Sequence, residues 1–338
     1  MCSTLDNQLS LFDQVPVDPD VMAVLRYCRE RGFPHYDLTL EQKMIDFNKL
    51  CRFDLNKIIQ DGFVNQTLHA MGLCWTYFPH HWAIRTRNMK TAIDVWEDDN
   101  LLVKAIKSRI KWGGKVGENG FMTDSNLRKA VRTYSGVQRV SNFRPSAAAA
   151  IYRKYCPPGG TVWDMSSGFG GRLIGALASG SVGTYYGCDP STPTYAGLEQ
   201  IQEDFAGRMN IHLAKQGSEV YTPPEPVDLC FTSPPYFDTE AYSHDMEQSC
   251  IAYPSVASWN HHFLRKTIQN CKSVLKADGY LILNVANVAS HKTLEADTVA
   301  IAQDEGFTLV DTLKMKLSSI NFAKVHRFEP IFVFKTTN

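Results

Sequence analysis

The chain has 338 residues, a hydrophobic fraction of 44 % and 35 basic against 35 acidic side chains, enough for two domains or one large α/β domain with an extension. No run of about 18 apolar residues occurs, and the opening MCSTLDNQLSLFDQ has no basic stretch ahead of an apolar one, so neither a membrane span nor a signal peptide is expected. Nine cysteines without CxxC pairs or metal-type Cys/His spacing suit a reducing cytoplasm and give no metal site.

Residues 1 to about 20 are polar, contain Pro16 and Pro19, and are expected to form a flexible tail. The next stretch, 21–138, reads as a mostly helical domain. Thr39-Leu-Glu-Gln42 is a capping-box pattern opening a helix that carries Met44, Phe47 and Leu50. Helical spacing of apolar residues predicts a further helix over Asp54–His69 and another over Leu101–Trp112, ended by Gly113-Gly114. Thr123 or Asp124 caps a helix running to Tyr134, with Gly136 as its stop. Between Arg85 and Lys154 about 15 Lys/Arg face about 6 Asp/Glu, a distribution that fits either a phosphate-binding face or a solvated pair of helices.

From about 139 the pattern changes to alternating strands and helices. Pro145 suits the first position of a helix over Pro145–Tyr155. Strand Thr161–Asp164, helix Gly171–Ser179, strand Thr184–Cys188 and helix Tyr195–Phe205 follow, then strands Ile211–Lys215 and Val227–Phe231. After a long loop come helix Trp259–Leu275, an Asp278-Gly279 turn, strand Tyr280–Asn284, helix Leu294–Glu305 and the closing pair Thr308–Lys314 and Pro330–Lys335. Such alternation predicts an α/β fold with a doubly wound, mostly parallel sheet, whose ligands sit at the carboxyl ends of the strands.

Three strand ends carry the chemistry. Asp164-Met-Ser166-Ser-Gly168-Phe-Gly170-Gly171 leaves an apolar strand and opens a helix; glycines there allow positive φ and a close backbone approach to a ligand. Its spacing differs from the dinucleotide Gly-x-Gly-x-x-Gly fingerprint. Asp189 ends the next strand, where a carboxylate accepts hydrogen bonds from both ribose hydroxyls or caps a helix. Ser233-Pro234-Pro235-Tyr236-Phe237 follows the fourth strand. The two prolines fix φ and stiffen the turn. Backbone carbonyls and the Ser233 hydroxyl can then accept the protons of a planar amine, and Tyr236 or Phe237 can stack on the ring that bears it.

These three segments together resemble the DNA amino-methyltransferases that act on cytosine N4 or adenine N6. The resemblance covers residues 139–338 and implies a class I S-adenosylmethionine-dependent methyltransferase fold, Rossmann-like with a mostly parallel seven-stranded sheet, behind the helical N-terminal domain. It assigns S-adenosylmethionine to Asp164, Ser166, Gly168 and Gly170, with the cofactor ribose on Asp189. Asn142-Phe-Arg144-Pro145 sits where the family touches the methionine part of the cofactor. Gly217-Ser-Glu219 sits where it contacts the adenine ring, through Glu219 or Ser218. Catalysis falls to Ser233, Pro234, Pro235 and Tyr236, on a flipped base. Serine ahead of Pro-Pro-Tyr favours cytosine N4, with adenine N6, an RNA amino group or a non-catalytic DNA- or clamp-binding role as alternatives. About forty residues separate Asp189 from Phe231, which leaves no room there for a target-recognition domain.

DNA contacts are expected from Arg128, Lys129 and Arg132 on one helix, from Arg139, and from Phe237 at the base. The pairs His80-His81 and His261-His262 read as packing or surface residues, because adjacent side chains diverge. Gln8-Leu9-Ser10-Leu11-Phe12 resembles the short peptide by which bacterial proteins dock on the DNA sliding clamp. Leu9, Leu11 and Phe12 would be its apolar anchors and Gln8 its polar lead. That resemblance implies the cytoplasm of a bacterium or of a phage-infected cell.

Overall fold

The computed structural model describes residues 19–138, 140–242, 245–317 and 327–336. They fall into two compact units, one within Met1–His35 and Asn88–Arg139, the other within Tyr36–Arg87 and Val140–Asn338.

In chain order the elements are α1 (Pro19–Arg31), α2 (Leu40–Cys51), β1 (Ile59–Gln60), β2 (Phe63–Val64), α3 (Met71–Tyr77), β3 (Arg85–Thr86), α4 (Ala92–Glu97), α5 (Asp99–Lys111) and α6 (Asp124–Arg132). Then come α7 (Pro145–Tyr155), β4 (Gly160–Asp164), α8 (Gly171–Ser179), β5 (Val182–Cys188), α9 (Thr192–Asp204), β6 (Asn210–Ala214), β7 (Val227–Thr232) and β8 (Glu240–Ala241). The chain closes with α10 (Arg265–Val274), β9 (Leu275–Asn284), α11 (Leu294–Asp304), β10 (Phe307–Lys316) and β11 (Phe328–Thr336).

The larger unit is built on a nine-stranded sheet of order β1-β2-β10-β11-β9-β7-β4-β5-β6. Its central strands β9, β7, β4, β5 and β6 run parallel, and β11 is antiparallel to both β9 and β10. Val162 and Trp163 on β4, Leu229 to Phe231 on β7 and Leu281 to Leu283 on β9 are buried, as strands covered on both faces require. The strand order reverses at β4, whose neighbours β5 and β7 lead away in opposite directions, so the switch point lies at the carboxyl ends of β4 and β7. On one face α7 lies against α8: a Cβ on Gly175 would come within 2.5 Å of Ala148 Cβ, so only glycine permits this approach.

Three expectations are corrected. Asp54–His69 is not a helix. Asp61 and Gly62, both at positive φ, turn β1 back into β2, and β2 pairs parallel with β10. An Asp-Gly pair at that position is a two-residue hairpin signal, and it overrides the helical spacing. Asp278-Gly279 is not a turn but part of the long strand β9. The extra residues are absorbed by an irregularity in its register with β7, and a Cβ on Gly279 would meet Leu275 and the Asp228 carbonyl at 2.8–2.9 Å.

The third concerns the domain boundary. Tyr36–Arg87 clusters with the sheet and not with the helices before residue 139. Phe47 packs edge-on against Phe205 at 4.7 Å, and Asp204 accepts from both Lys43 Nζ (2.8 Å) and Tyr77 Oη (2.7 Å). The capping box at Thr39 and Gln42 forms as expected and starts α2 with Phe47 and Leu50 facing this core.

The smaller unit comprises α1, α4, α5 and α6. Arg29 Nε donates to Asp99 at 2.8 Å, Trp96 packs against Phe33, and Thr123 caps α6.

Candidate active site

The loop after β4 is anchored from below. Asp164 is fully buried, and its carboxylate accepts from Arg172 Nε (2.9 Å), Tyr185 Oη (2.8 Å) and Thr232 Oγ1 (2.9 Å). Arg172 also donates to the Ser166 carbonyl. Burial, and then the Asp164 charge, push the Tyr185 phenol well above its ordinary range, so it stays a donor. Asp164 therefore departs from its expected place at the cofactor: its oxygens serve the protein, and it holds the loop on which Ser166 and the glycines sit.

Above this anchor the backbone is open. Gly168 and Gly170 take φ of +53° and +66°. A Cβ on Gly170 would strike Ile201 at 2.6 Å, whereas one on Gly168 would meet only the Ser166 carbonyl at 3.8 Å. Gly168 N donates to Asp189 Oδ2 and Ser191 N to Oδ1, both at 3.0 Å. Burial raises Asp189 from 3.8 to about 6, against the lowering effect of those two bonds. After β6, Ser218 is buried with its hydroxyl 2.8 Å from Thr267 Oγ1, whereas Glu219 Oε2 is buried without a hydrogen-bond partner. Burial also raises the Glu219 carboxyl.

Open space at Gly168, a carboxylate at the end of β5 and an unpartnered carboxylate oxygen after β6 fit a nucleoside bearing ribose hydroxyls and an exocyclic amine. Asn142 Nδ2 donates to the Phe169 carbonyl at 2.9 Å, which ties its segment to the glycine loop, and Arg144 Nε donates to Gln66 Oε1 at 3.1 Å.

The turn after β7 stands beside this loop because β7 pairs parallel with β4. Thr232, the last residue of β7, makes the link through its bond to Asp164. Ser233 Oγ lies 3.4 Å from Tyr236 Oη, which donates to the Asn284 carbonyl at 3.3 Å at the end of β9. Burial, and then the Glu329 charge, hold the Tyr236 phenol well above its ordinary range. Phe237 departs from the expected base contact. It is buried at φ +53°, with its ring centroid 6.1 Å from Trp259 and 6.2 Å from His291, so it anchors the turn in the core.

Beyond the turn, β8 pairs with β3. Glu240 accepts from Ser141 N at 3.3 Å and from Tyr242 Oη, and the Tyr242 ring lies 6.1 Å from that of Phe169. Thr232, Asn284, Glu240 and Tyr242 escaped the sequence reading. Only Thr232 carried a signal, as a hydroxyl ending an apolar strand directly ahead of the motif.

Among the expected DNA contacts, Arg128 is partly exposed and is bound within the protein. Its Nη1 donates to the Pro34 and His35 carbonyls at 3.0 and 3.1 Å, which ties α6 to the segment after α1. Lys129 is exposed and Arg132 partly so. Arg139 and the peptide residues Gln8, Leu9, Leu11 and Phe12 lie outside the described residues. His81 is buried, stacked on Trp75 at 4.1 Å, with Nδ1 2.6 Å from the Phe78 carbonyl.

Numbered along the chain within the seven-strand core, the sheet has the order 3-2-1-4-5-7-6 with strand 7 antiparallel, which is the class I S-adenosylmethionine-dependent methyltransferase fold. Residues 227–338 match the family model described as DNA methylase, which covers the Ser-Pro-Pro-Tyr turn and the second half of the sheet. The protein is a methyltransferase, and its cofactor is S-adenosylmethionine.

Solved structures of similar fold include an S-adenosylmethionine-dependent O-methyltransferase from Thermotoga maritima, 14 % identical over 59 % of this chain and 68 % of that one, with a TM-score of 0.41. An N-methyltransferase from Bradyrhizobium japonicum is 12 % identical over 55 % and 90 %, with a TM-score of 0.39. An S-adenosylmethionine-dependent methyltransferase from Clostridium acetobutylicum is 10 % identical over 56 % and 87 %, with a TM-score of 0.38. The fold rests on the strand order and not on these overlaps. A search of curated proteins returns no match to the sequence.

Proposed function

We propose that the protein methylates the exocyclic amino group of a DNA base, with cytosine N4 favoured over adenine N6. The observation that carries this is the bond from Thr232 to Asp164, which fixes the Ser-Pro-Pro-Tyr turn beside the open glycine loop. When bound, S-adenosylmethionine supplies an electrophilic sulfonium methyl group. Gly168, Asp189 and Glu219 would hold it.

The lone pair of an exocyclic amine is delocalised into its ring and is a poor nucleophile. Ser233 Oγ and the Pro234 carbonyl accept its two N–H groups and draw the nitrogen toward tetrahedral geometry. Tyr236 stacks on the base, its plane fixed by the hydroxyl's bond to Asn284. Most of the rate gain then comes from position and preoriented dipoles, without a covalent intermediate. A stacked base cannot reach this turn, so it must be flipped, at a cost of a few kcal/mol that stacking partly offsets.

Incubating the protein with DNA and S-adenosylmethionine, then identifying the released nucleosides by mass, is expected to give N4-methylcytosine. N6-methyladenine would move the assignment to adenine, methylation of RNA alone would remove DNA as substrate, and unmodified nucleic acid would refute the reading.

Lys129, Arg132 and Arg139 are proposed as phosphate contacts that orient the DNA. Gln8, Leu9, Leu11 and Phe12 are proposed to dock on a bacterial sliding clamp, which would place the enzyme in the cytoplasm at replicating DNA. Unchanged clamp affinity after Leu11→Ala with Phe12→Ala would dismiss that part. Among the described residues no helix is long and apolar enough to cross a membrane.

A further inference from the structure

The positive stretch between Arg85 and Lys154 remains unexplained once Arg128 is committed to two carbonyls. Four of its cations lie on α5, at Lys104, Lys107, Arg109 and Lys111. Leu102, Val103, Ala105 and Ile106 form the buried face of that helix. Lys104, Lys107, Ser108 and Lys111 are all exposed on the opposite face, at the i, i+3, i+4, i+7 spacing of one stripe, and the exposed Lys115 follows the helix end.

Among the described residues none of these four lysines is in an ion pair, whereas Arg29, Arg31, Lys43 and Arg172 all are. The acids of this helix lie at its start, where Asp98 caps it and Asp99 holds Arg29. Favourable interaction with the helix dipole accounts for Lys111 in the last turn, but it does not reach Lys104, almost two turns earlier. At the end of the stripe the Trp112 side chain is 71 % exposed, ahead of Gly113 at φ +85°.

We infer that this ridge binds a DNA strand: the lysines take successive phosphates, and Trp112 offers a ring face to an unpaired base. Lys104 to Lys111 spans about 10 Å of helix axis, the axial length of about three phosphates on one strand. An indole next to a cationic row is the pairing of stacking platform and backbone track that single strands use. The inference rests on DNA as the substrate and names a surface that engages it.

The full-length chain would be titrated with a fluorescent duplex and a fluorescent single strand between 50 and 200 mM salt. Lys104→Ala with Lys107→Ala and Lys111→Ala is expected to flatten the slope of log affinity against log salt by about 2–3. Binding at 100 mM salt should weaken tenfold or more. Alanine at exposed helix positions keeps the fold, so cofactor affinity and melting temperature should be unchanged. Trp112→Ala is expected to weaken the single strand roughly tenfold with its slope intact.

A triple variant with the parent's slope and affinity overturns the ridge, and a Trp112→Ala protein that binds the single strand like the parent overturns the platform. Loss of the slope in a protein that methylates no nucleoside would uphold the ridge while refuting the methylation reading. Methylation with an unaltered slope would do the reverse.

Discussion

The loop after β4 and the turn after β7 lie side by side, yet they are held in opposite ways. Beneath the glycine loop the three side-chain bonds to Asp164, from Arg172, Tyr185 and Thr232, are 2.8–2.9 Å long and buried. Within the Ser-Pro-Pro-Tyr turn the hydroxyls of Ser233, Tyr236 and the Asn284 carbonyl stand 3.3–3.4 Å apart, and the stiffness comes from two proline rings. The first arrangement satisfies its polar groups within the protein. The second leaves acceptor capacity to be taken up by an incoming amine. On the proposed function, cofactor binding rests on the closed network and catalysis on the open one, and the Thr232 bond to Asp164 joins them.

Breaking the closed network should cost most. Arg172→Ala leaves the Asp164 carboxylate buried without its cation, which should destabilise the fold by about 3–5 kcal/mol in urea unfolding. A loss under 1 kcal/mol would show that the pair is not the anchor. In the open network stability should hardly change and rate should. Ser233→Ala is expected to lower kcat by roughly a hundredfold or more at unaltered melting temperature, the scale for removal of one preoriented polar group. A kcat within threefold of the parent would assign the amine to other acceptors.

The link itself should show both effects. Thr232→Val leaves Asp164 Oδ1 short of a donor and should cost about 1–3 kcal/mol of stability, with a fall in kcat. Thr232→Ser should restore both, and failure of that rescue would argue against a role for the hydroxyl.

The smallest effect is a pH dependence at Asp189, whose carboxyl lies at about 6 in the fold against an ordinary aspartate value of 3.8. On the proposed placement of the cofactor ribose at Asp189, only the carboxylate form accepts both hydroxyls, so cofactor affinity should drop about tenfold from pH 7 to pH 5. Stability moves the other way. The folded protein holds this proton more tightly than the unfolded chain, so the contribution is present below about pH 4 and fades as pH rises through about 6. Asp189→Asn should flatten the affinity profile, and an unchanged profile would place the titration elsewhere.

Much of the sheet was legible because local chemistry sets it. Helices Pro145–Tyr155 and Gly171–Ser179 begin and end at the residues read from the sequence, where Pro145 opens one and Gly170 and Gly180, both at positive φ, bound the other. The hairpin over Ile59–Val64 was hidden because its apolar residues also fit a helical period, and its strand status comes from β10, about 250 residues away. Gly168, Asp189, Ser233 and Tyr236 were legible as polar or flexible residues at strand ends.

What Asp164 and Phe237 do was not legible, because it depends on distant partners. Thr232 lies 68 residues from Asp164 along the chain, and Asn284 lies 48 from Tyr236. A motif gives the position of a side chain but not whether the fold has already used its polar atoms.

The single-turnover rate of methyl transfer to DNA by Tyr236→Ala, at saturating cofactor, bears most directly on the turn as the seat of catalysis. With cofactor affinity intact, the rate is predicted to fall at least a hundredfold, because the flipped base loses both its stacking surface and its position beside Ser233. A rate within twofold of the parent would contradict the account.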